Sequence, residues 1–288
     1  MAFPDRVDAW RKRGRDEEFR GRRIHLFARA GRDPLLLLLH GFPSSSYDWR
    51  LLLDHETEHA AIAPDLLGFG LSEKPRDHTY TLHWQADLVE DLVSGHDRPV
   101  FLVAHDMGTS VATELMARDL EGDLEMELVG ALLLNGSMVQ GAASPTLGQR
   151  LLRGPIGPLF SRLSSERFFR QQFASIFSPA HPLTDEEAAD QWALIRAGGG
   201  RTLSHKTIRY MEERFRHADR WHGALREWHK PLGLVWGMLD PVANENVLNA
   251  VLELHPQAPV TRLEDVGHYP QIEDPVRVAA ELQRALSG

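Results

Sequence analysis

Several short runs of this chain are wholly or largely apolar, and each lies against turn-forming or polar residues. Leu35–Leu39 precedes His40-Gly41-Phe42-Pro43, Ala60–Ala63 precedes Pro64-Asp65, and Val100–Ala104 precedes His105-Asp106-Met107-Gly108. Ala131–Leu134 precedes Asn135-Gly136, Leu232–Trp236 precedes Gly237-Met238-Leu239-Asp240, and Val260–Leu263 comes just before Asp265-Val266-Gly267-His268. A strand with one wet face alternates apolar and polar residues. These runs do not alternate, so both of their faces are expected to be buried. Helical patterns separate several of them, at Thr81–Leu92, Thr109–Leu120, Glu245–Leu254 and Pro275–Leu286. Apolar strands alternating with helices predict an α/β fold, a mostly parallel sheet covered by helices on both faces.

The rhythm breaks between about Met138 and Arg216. No strand-like run occurs there, and Gly154-Pro155, Gly157-Pro158, Ser178-Pro179 and Gly198-Gly199-Gly200 punctuate amphipathic stretches at Leu159–Phe177, Thr184–Arg196 and Leu203–Phe215. The pattern predicts a helical lid inserted into one sheet domain: core over residues 1–137, lid over 138–216, core again over 217–288. With 288 residues, 42% of them hydrophobic, the chain is long enough to bury such a core.

A net charge of −9 argues against a general nucleic-acid or anionic-membrane surface. The absence of cysteine excludes disulfides, thiolate catalysis and Cys-ligated metals. No window reaches the ~18 apolar residues that a membrane span needs, and Met1–Arg20 lacks a signal-peptide core. A cytoplasmic protein, monomer or homodimer, without metal or cofactor, is the expectation.

Ligands of open parallel sheets bind at the carboxyl ends of the strands, where the polar clusters lie. In Val103-Ala104-His105-Asp106-Met107-Gly108 an apolar strand enters a tight turn of small residues and then a helix. That is the setting of a nucleophile elbow, with aspartate at the centre and Ala104 at the first small position. The competing reading of Asp106 is an N-cap. The Phe42 and Met107 amides are the expected oxyanion hole. Asp240 ends the next-to-last strand and His268 follows the last, so the order is nucleophile, acid, histidine. Among 15 histidines this order and location single out His268. Asn135-Gly136-Ser137 offers no carboxylate, which favours Asp240 as the acid; Asp265 is expected to serve its loop.

With these residues in place, the chain resembles the α/β-hydrolase superfamily, in its epoxide hydrolase and haloalkane dehalogenase branch, and within it the mesoderm-specific transcript group. The likeness rests on HGFPSSSYDW (His40–Trp49), DLLGFGLSEKP (Asp65–Pro75), AHDMG (Ala104–Gly108), RYMEER (Arg209–Arg214), GMLDPV (Gly237–Val242) and GHYPQIEDP (Gly267–Pro275). It implies the α/β-hydrolase fold and a cis Phe42–Pro43 peptide that turns the Phe42 amide inward. Asp65, Gly68, Gly70 and Ser72 read as a structural loop.

An ionised carboxylate attacks without a base. Attack on an ester would give a mixed anhydride, a poor intermediate, whereas attack on saturated carbon gives an alkyl ester that waits for water. The substrate expected is therefore a small hydrophobic molecule carrying an epoxide or a halide, with water as second reactant. In the resembled families, epoxide opening uses lid tyrosines, and halide departure uses a Trp after the nucleophile or an Asn at the Phe42 position. This chain has Met107 and Phe42 there, so epoxide hydrolysis leads, with Tyr210 as acid and His181 or His205 as a possible second donor. Trp192 is expected in the pocket wall, and His40 and Tyr269 beside the substrate. Dehalogenation and a binding protein without turnover are the rival readings.

Overall fold

A computed structural model describes residues 3–287. Its centre is an eight-stranded sheet. The strands are β1 (Gly14–Phe19), β2 (Arg22–Arg29), β3 (Arg32–Leu39), β4 (His59–Pro64), β5 (Val100–His105), β6 (Leu128–Leu134), β7 (Leu232–Gly237) and β8 (Val260–Leu263). Their order across the sheet is β1-β2-β4-β3-β5-β6-β7-β8. From β4 to β8 every pairing is parallel, while β1 and β2 add an antiparallel edge. All six expected strands are present, most of them a residue or more longer than the apolar run.

The five leucines of β3 show why the runs are unbroken. Leu35, Leu37 and Leu39 enter one hydrophobic cluster and Leu36 and Leu38 the other. Successive side chains alternate faces, and both faces are covered. Helices Leu82–Ser94, Met107–Glu121, Ala218–Glu227 and Glu245–Leu254 cover the first. Helices Asp5–Lys12, Arg50–His55 and Pro275–Ser287 cover the second.

The hairpin β1–β2 was not expected. β1 reads GRDEEF and buries fully only Phe19, because it is a sheet edge, where charge blunts pairing with other chains. Arg20 and Gly21, at φ 49° and 73°, form the two-residue turn that matches strand twist.

Between β6 and Ala218 the described residues form helices and turns only. Two expected helices are broken. Leu159–Phe177 divides into Gly157–Leu163 and Glu166–Ala174, where Ser165 accepts from the Phe168 amide as an N-cap. Leu203–Phe215 divides into Ser204–Thr207 and Tyr210–Arg216. Three i→i+3 bonds, Arg209 to Lys206, Met211 to Ile208 and Glu212 to Arg209, tighten the chain at the join. No helix among the described residues is long and apolar enough to cross a membrane.

Helix Met107–Glu121 meets β3 at Gly108, where a Cβ would run into the Leu39 carbonyl. Gly108→Ala is expected to cost about 1–3 kcal/mol by overpacking. Gly95→Ala, with nothing within 4 Å of its Cβ, should stay within about 0.5 kcal/mol of the parent. Urea midpoints of the two variants check this.

Candidate active site

β5 ends at His105, and the chain turns directly into helix Met107–Glu121 through Asp106 at φ 45°, ψ −110°. A non-glycine residue there costs about 1–3 kcal/mol and persists only when its surroundings impose it. Here they do. The Asp106 carbonyl accepts from Thr109 Oγ1 at 2.6 Å and from Arg214 Nη2 at 3.0 Å. Gly41 admits the side chain: a Cβ there would lie 2.7 Å from Asp106 Cβ.

The Asp106 side chain makes no capping bond to its helix, so the N-cap reading does not describe it. Its Oδ2 instead accepts from the Phe42 amide at 2.9 Å. β3 and β5 are neighbours in the sheet, and this adjacency brings the two loops together. The Phe42–Pro43 peptide is cis. The Met107 amide opens the helix and so has no intrahelical acceptor.

Asp106 Oδ1 lies 3.7 Å from Nη2 of Arg214, and the two side chains are only 2% and 1% exposed. Arg214 is further held by Ser110 Oγ at 2.8 Å and Gln140 Oε1 at 3.3 Å, and its guanidinium lies 4.7 Å from the Tyr210 ring centroid. The sequence reading missed Arg214. Its signal was present: it stands four residues after Tyr210, on the same helix face.

His268 follows β8. Its Nδ1 is 2.6 Å from Asp240 Oδ2, and its ring borders a cavity. Burial works to lower its pKa, but the Asp240 charge and hydrogen bond, with Asp106 and Glu273, outweigh burial and push it up to about 9. Asp240 is itself braced. Oδ2 accepts from Asn135 Nδ2 at 2.9 Å and Oδ1 from the Val242 amide at 2.7 Å. Asn135 also exchanges two bonds with the Gly237 backbone, at 3.1 and 2.7 Å. The β6 end that lacks a carboxylate thus supplies the amide that orients one. Asp265 pairs with Arg277 at 2.6 Å and with His181 at 3.4 Å, away from His268.

Tyr210 starts helix Tyr210–Arg216, is 2% exposed, and packs 5.9 Å from the Phe42 ring. Burial, and next the Asp106 charge, hold its hydroxyl well above the usual phenol pKa, so it carries its proton. No hydrogen bond contributes to that rise.

The cavity beside Phe42 and His268 measures about 110 Å³. Its walls are mostly apolar and aromatic, among them Leu152, Phe160, Phe168, Phe169, Phe173 and Ile176. Trp192 stands in this wall, stacked on Phe169. His40 and Tyr269 require correction. His40 is fully buried, with Nδ1 against the Gly41 carbonyl and Nε2 accepting from the Leu66 amide, so no ring nitrogen remains for a substrate. Tyr269 is equally buried and packs beneath the site, 5.1 Å from the His268 ring and 5.4 Å from Phe177. Of the other histidines, His205 is bonded to Ser161 and His181 to Asp265. His105 holds the His268 carbonyl through Nε2 at 2.7 Å, and burial pushes its pKa down to about 3. Asp65 serves its loop as expected, accepting from the Ser46 and Leu71 amides.

Removing one partner of a buried ion pair costs about 3–5 kcal/mol. Arg214→Met should lose stability on that scale. In Asp106→Asn the same change should cost less by about 0.5–3 kcal/mol. Denaturation of the four-member cycle measures this; strict additivity would show that the pair does not interact.

A model of the alpha/beta hydrolase family matches residues 36–281. LipZ of Mycobacterium tuberculosis is 50% identical over 270 residues, covering 93% of this chain and 94% of LipZ. The mesoderm-specific transcript protein of Mus musculus is 34% identical over 286 residues, covering 94% of this chain and 84% of the relative. Among solved structures, haloalkane dehalogenase DatA from Agrobacterium tumefaciens superposes with a TM-score of 0.80 at 22% identity, over 95% of this chain and 96% of DatA, a likeness of fold. The chain belongs to the alpha/beta hydrolase family.

Proposed function

We propose that this hydrolase opens a small hydrophobic epoxide to a vicinal diol through a covalent ester on Asp106, with residues 138–216 as a lid. One observation carries the reading: a carboxylate at the elbow, with Oδ2 already on the Phe42 amide. In this pose Oδ1 is the attacking oxygen, and Oδ2 rests where a tetrahedral oxyanion later forms.

In the first half-reaction Oδ1 attacks an epoxide carbon and the ring C–O bond breaks. The departing oxygen takes the Tyr210 phenolic proton, and the tyrosinate is reprotonated from water. In the second, His268 Nε2 takes a proton from water, and the resulting hydroxide attacks Cγ of Asp106. The oxyanion on Oδ2 is held by the Phe42 and Met107 amides; one such donor is worth about 10²–10³ in rate. The intermediate collapses with cleavage of the Cγ–Oδ1 bond. His268 returns its proton to the leaving diol oxygen, and Asp240 keeps the ring oriented throughout.

The elevated His268 pKa fits this order. In the resting site the ring is protonated, and Asp106 helps to keep it so. Esterification removes the Asp106 charge, so the His268 pKa falls, its proton leaves to water and the neutral ring is available when water must be activated. The apolar cavity next to His268 suits the hydrocarbon part of the substrate. In a dehalogenase reading, Trp192 is the indole in the cavity wall.

The test uses a panel of epoxides and alkyl halides with wild type and His268→Gln. Wild type is expected to give diol without halide release. His268→Gln should stop after about one equivalent, with the alkyl adduct on Asp106, a second half-reaction slowed by about 10²–10⁴. In wild type the second half-reaction should quicken as rising pH strips the proton from His268. Halide release without diol from any epoxide would replace the proposal with dehalogenation.

A further inference from the structure

Helices Leu147–Arg153 and Gly157–Leu163 roof the cavity, which Leu152 and Phe160 line from within. Their outer side is also apolar. Leu147, Ile156, Leu159 and Leu163 are 58%, 53%, 59% and 71% exposed. They are four of the seven exposed large hydrophobic residues among those described. Ile156, Leu159 and Leu163 stand at i, i+3 and i+7, which places them on one helix face. Large apolar patches on a soluble protein mark an interaction site more often than chance exposure.

The charge around this patch says what covers it. Residues 128–165 contain Arg150, Arg153 and Arg162 and no aspartate or glutamate, in a chain of net charge −9, and the exposed Glu166 that follows is paired with Arg170. Arg150, Arg162 and the following Arg167 are exposed, and no carboxylate pairs with them among the described residues. A second copy docked through the same face would set these arginines against themselves, because a two-fold contact is self-complementary. An anionic lipid surface meets both properties at once: phosphates for the arginines and an acyl boundary for the leucines.

We propose that the face formed by Leu147, Ile156, Leu159, Leu163, Arg150, Arg162 and Arg167 docks on an anionic phospholipid surface, so that apolar molecules pass from the bilayer into the cavity beneath. The docking does not depend on the chemistry at Asp106. The net charge, on which the sequence reading against an anionic membrane rested, averages away this local basic face.

Sedimentation with vesicles of phosphatidylcholine, with and without phosphatidylglycerol, tests the proposal on the whole chain. Binding is expected to the anionic vesicles, weakening with salt and at least about tenfold weaker on phosphatidylcholine alone. Ile156→Gln/Leu159→Gln/Leu163→Gln and Arg150→Glu/Arg162→Glu/Arg167→Glu should each lose about tenfold or more in affinity, with unchanged melting temperature. Three results would overturn it: no binding to anionic vesicles, equal binding to both compositions, or wild-type binding by both triple variants. A concentration-dependent dimer that the glutamine variant converts to monomer would also overturn it, in favour of a second copy.

Discussion

The 2.9 Å bond from the Phe42 amide to Asp106 Oδ2 is the contact on which the head of the sheet depends. It needs β3 beside β5, a strained turn at Asp106 and almost no side chain between them. The parallel register supplies the first. Gly41 and Gly108 supply the room, since a Cβ on either would strike the elbow or the Leu39 backbone. The strain is then held by donors that converge on the Asp106 carbonyl.

Electrostatics complete the arrangement. Four buried groups stand at the carboxyl edge: Asp106 with Arg214, and Asp240 with His268. With His268 protonated, their formal charges cancel. The site therefore rests as two ion pairs, and any step that removes the Asp106 charge unbalances it. In the proposed reaction that step is ester formation, and the imbalance falls on His268. Asn135 and His105 stabilise this second pair from behind, one through the Asp240 carboxylate and the other through the His268 carbonyl.

The apolar runs and the residues after them made most of the fold legible. A strand buried on both faces is continuous in its hydrophobicity, and the residues that follow such strands lie where open parallel sheets bind their ligands. Asp106, Asp240, His268 and the Phe42 amide were singled out in this way, and the structure pairs Asp106 with the Phe42 amide and His268 with Asp240. What escaped follows other rules. β1 is an edge and carries charge where core strands carry leucine. Arg214 escaped because a buried arginine is defined by partners far away in sequence, 108 residues from Asp106. His40 and Tyr269 stand next to residues of the site, yet their side chains are taken up by the backbone and by aromatic packing. Neighbourhood along the chain did not predict direction in space. The breaks at Ser165 and at Arg209 depended on a cap and on i→i+3 bonds, which amphipathic periodicity does not encode.

The central claim is that Asp106 is covalently attacked and regenerated in each cycle. Many turnovers of an epoxide in ¹⁸O-enriched water, followed by mass measurement of the peptide containing Asp106, test it most directly. The account predicts ¹⁸O in the Asp106 carboxylate, because the Cγ–Oδ1 bond is cleaved and its oxygen leaves with the diol. Diol formation with an unlabelled Asp106 would mean direct attack of water on the substrate, and would contradict it.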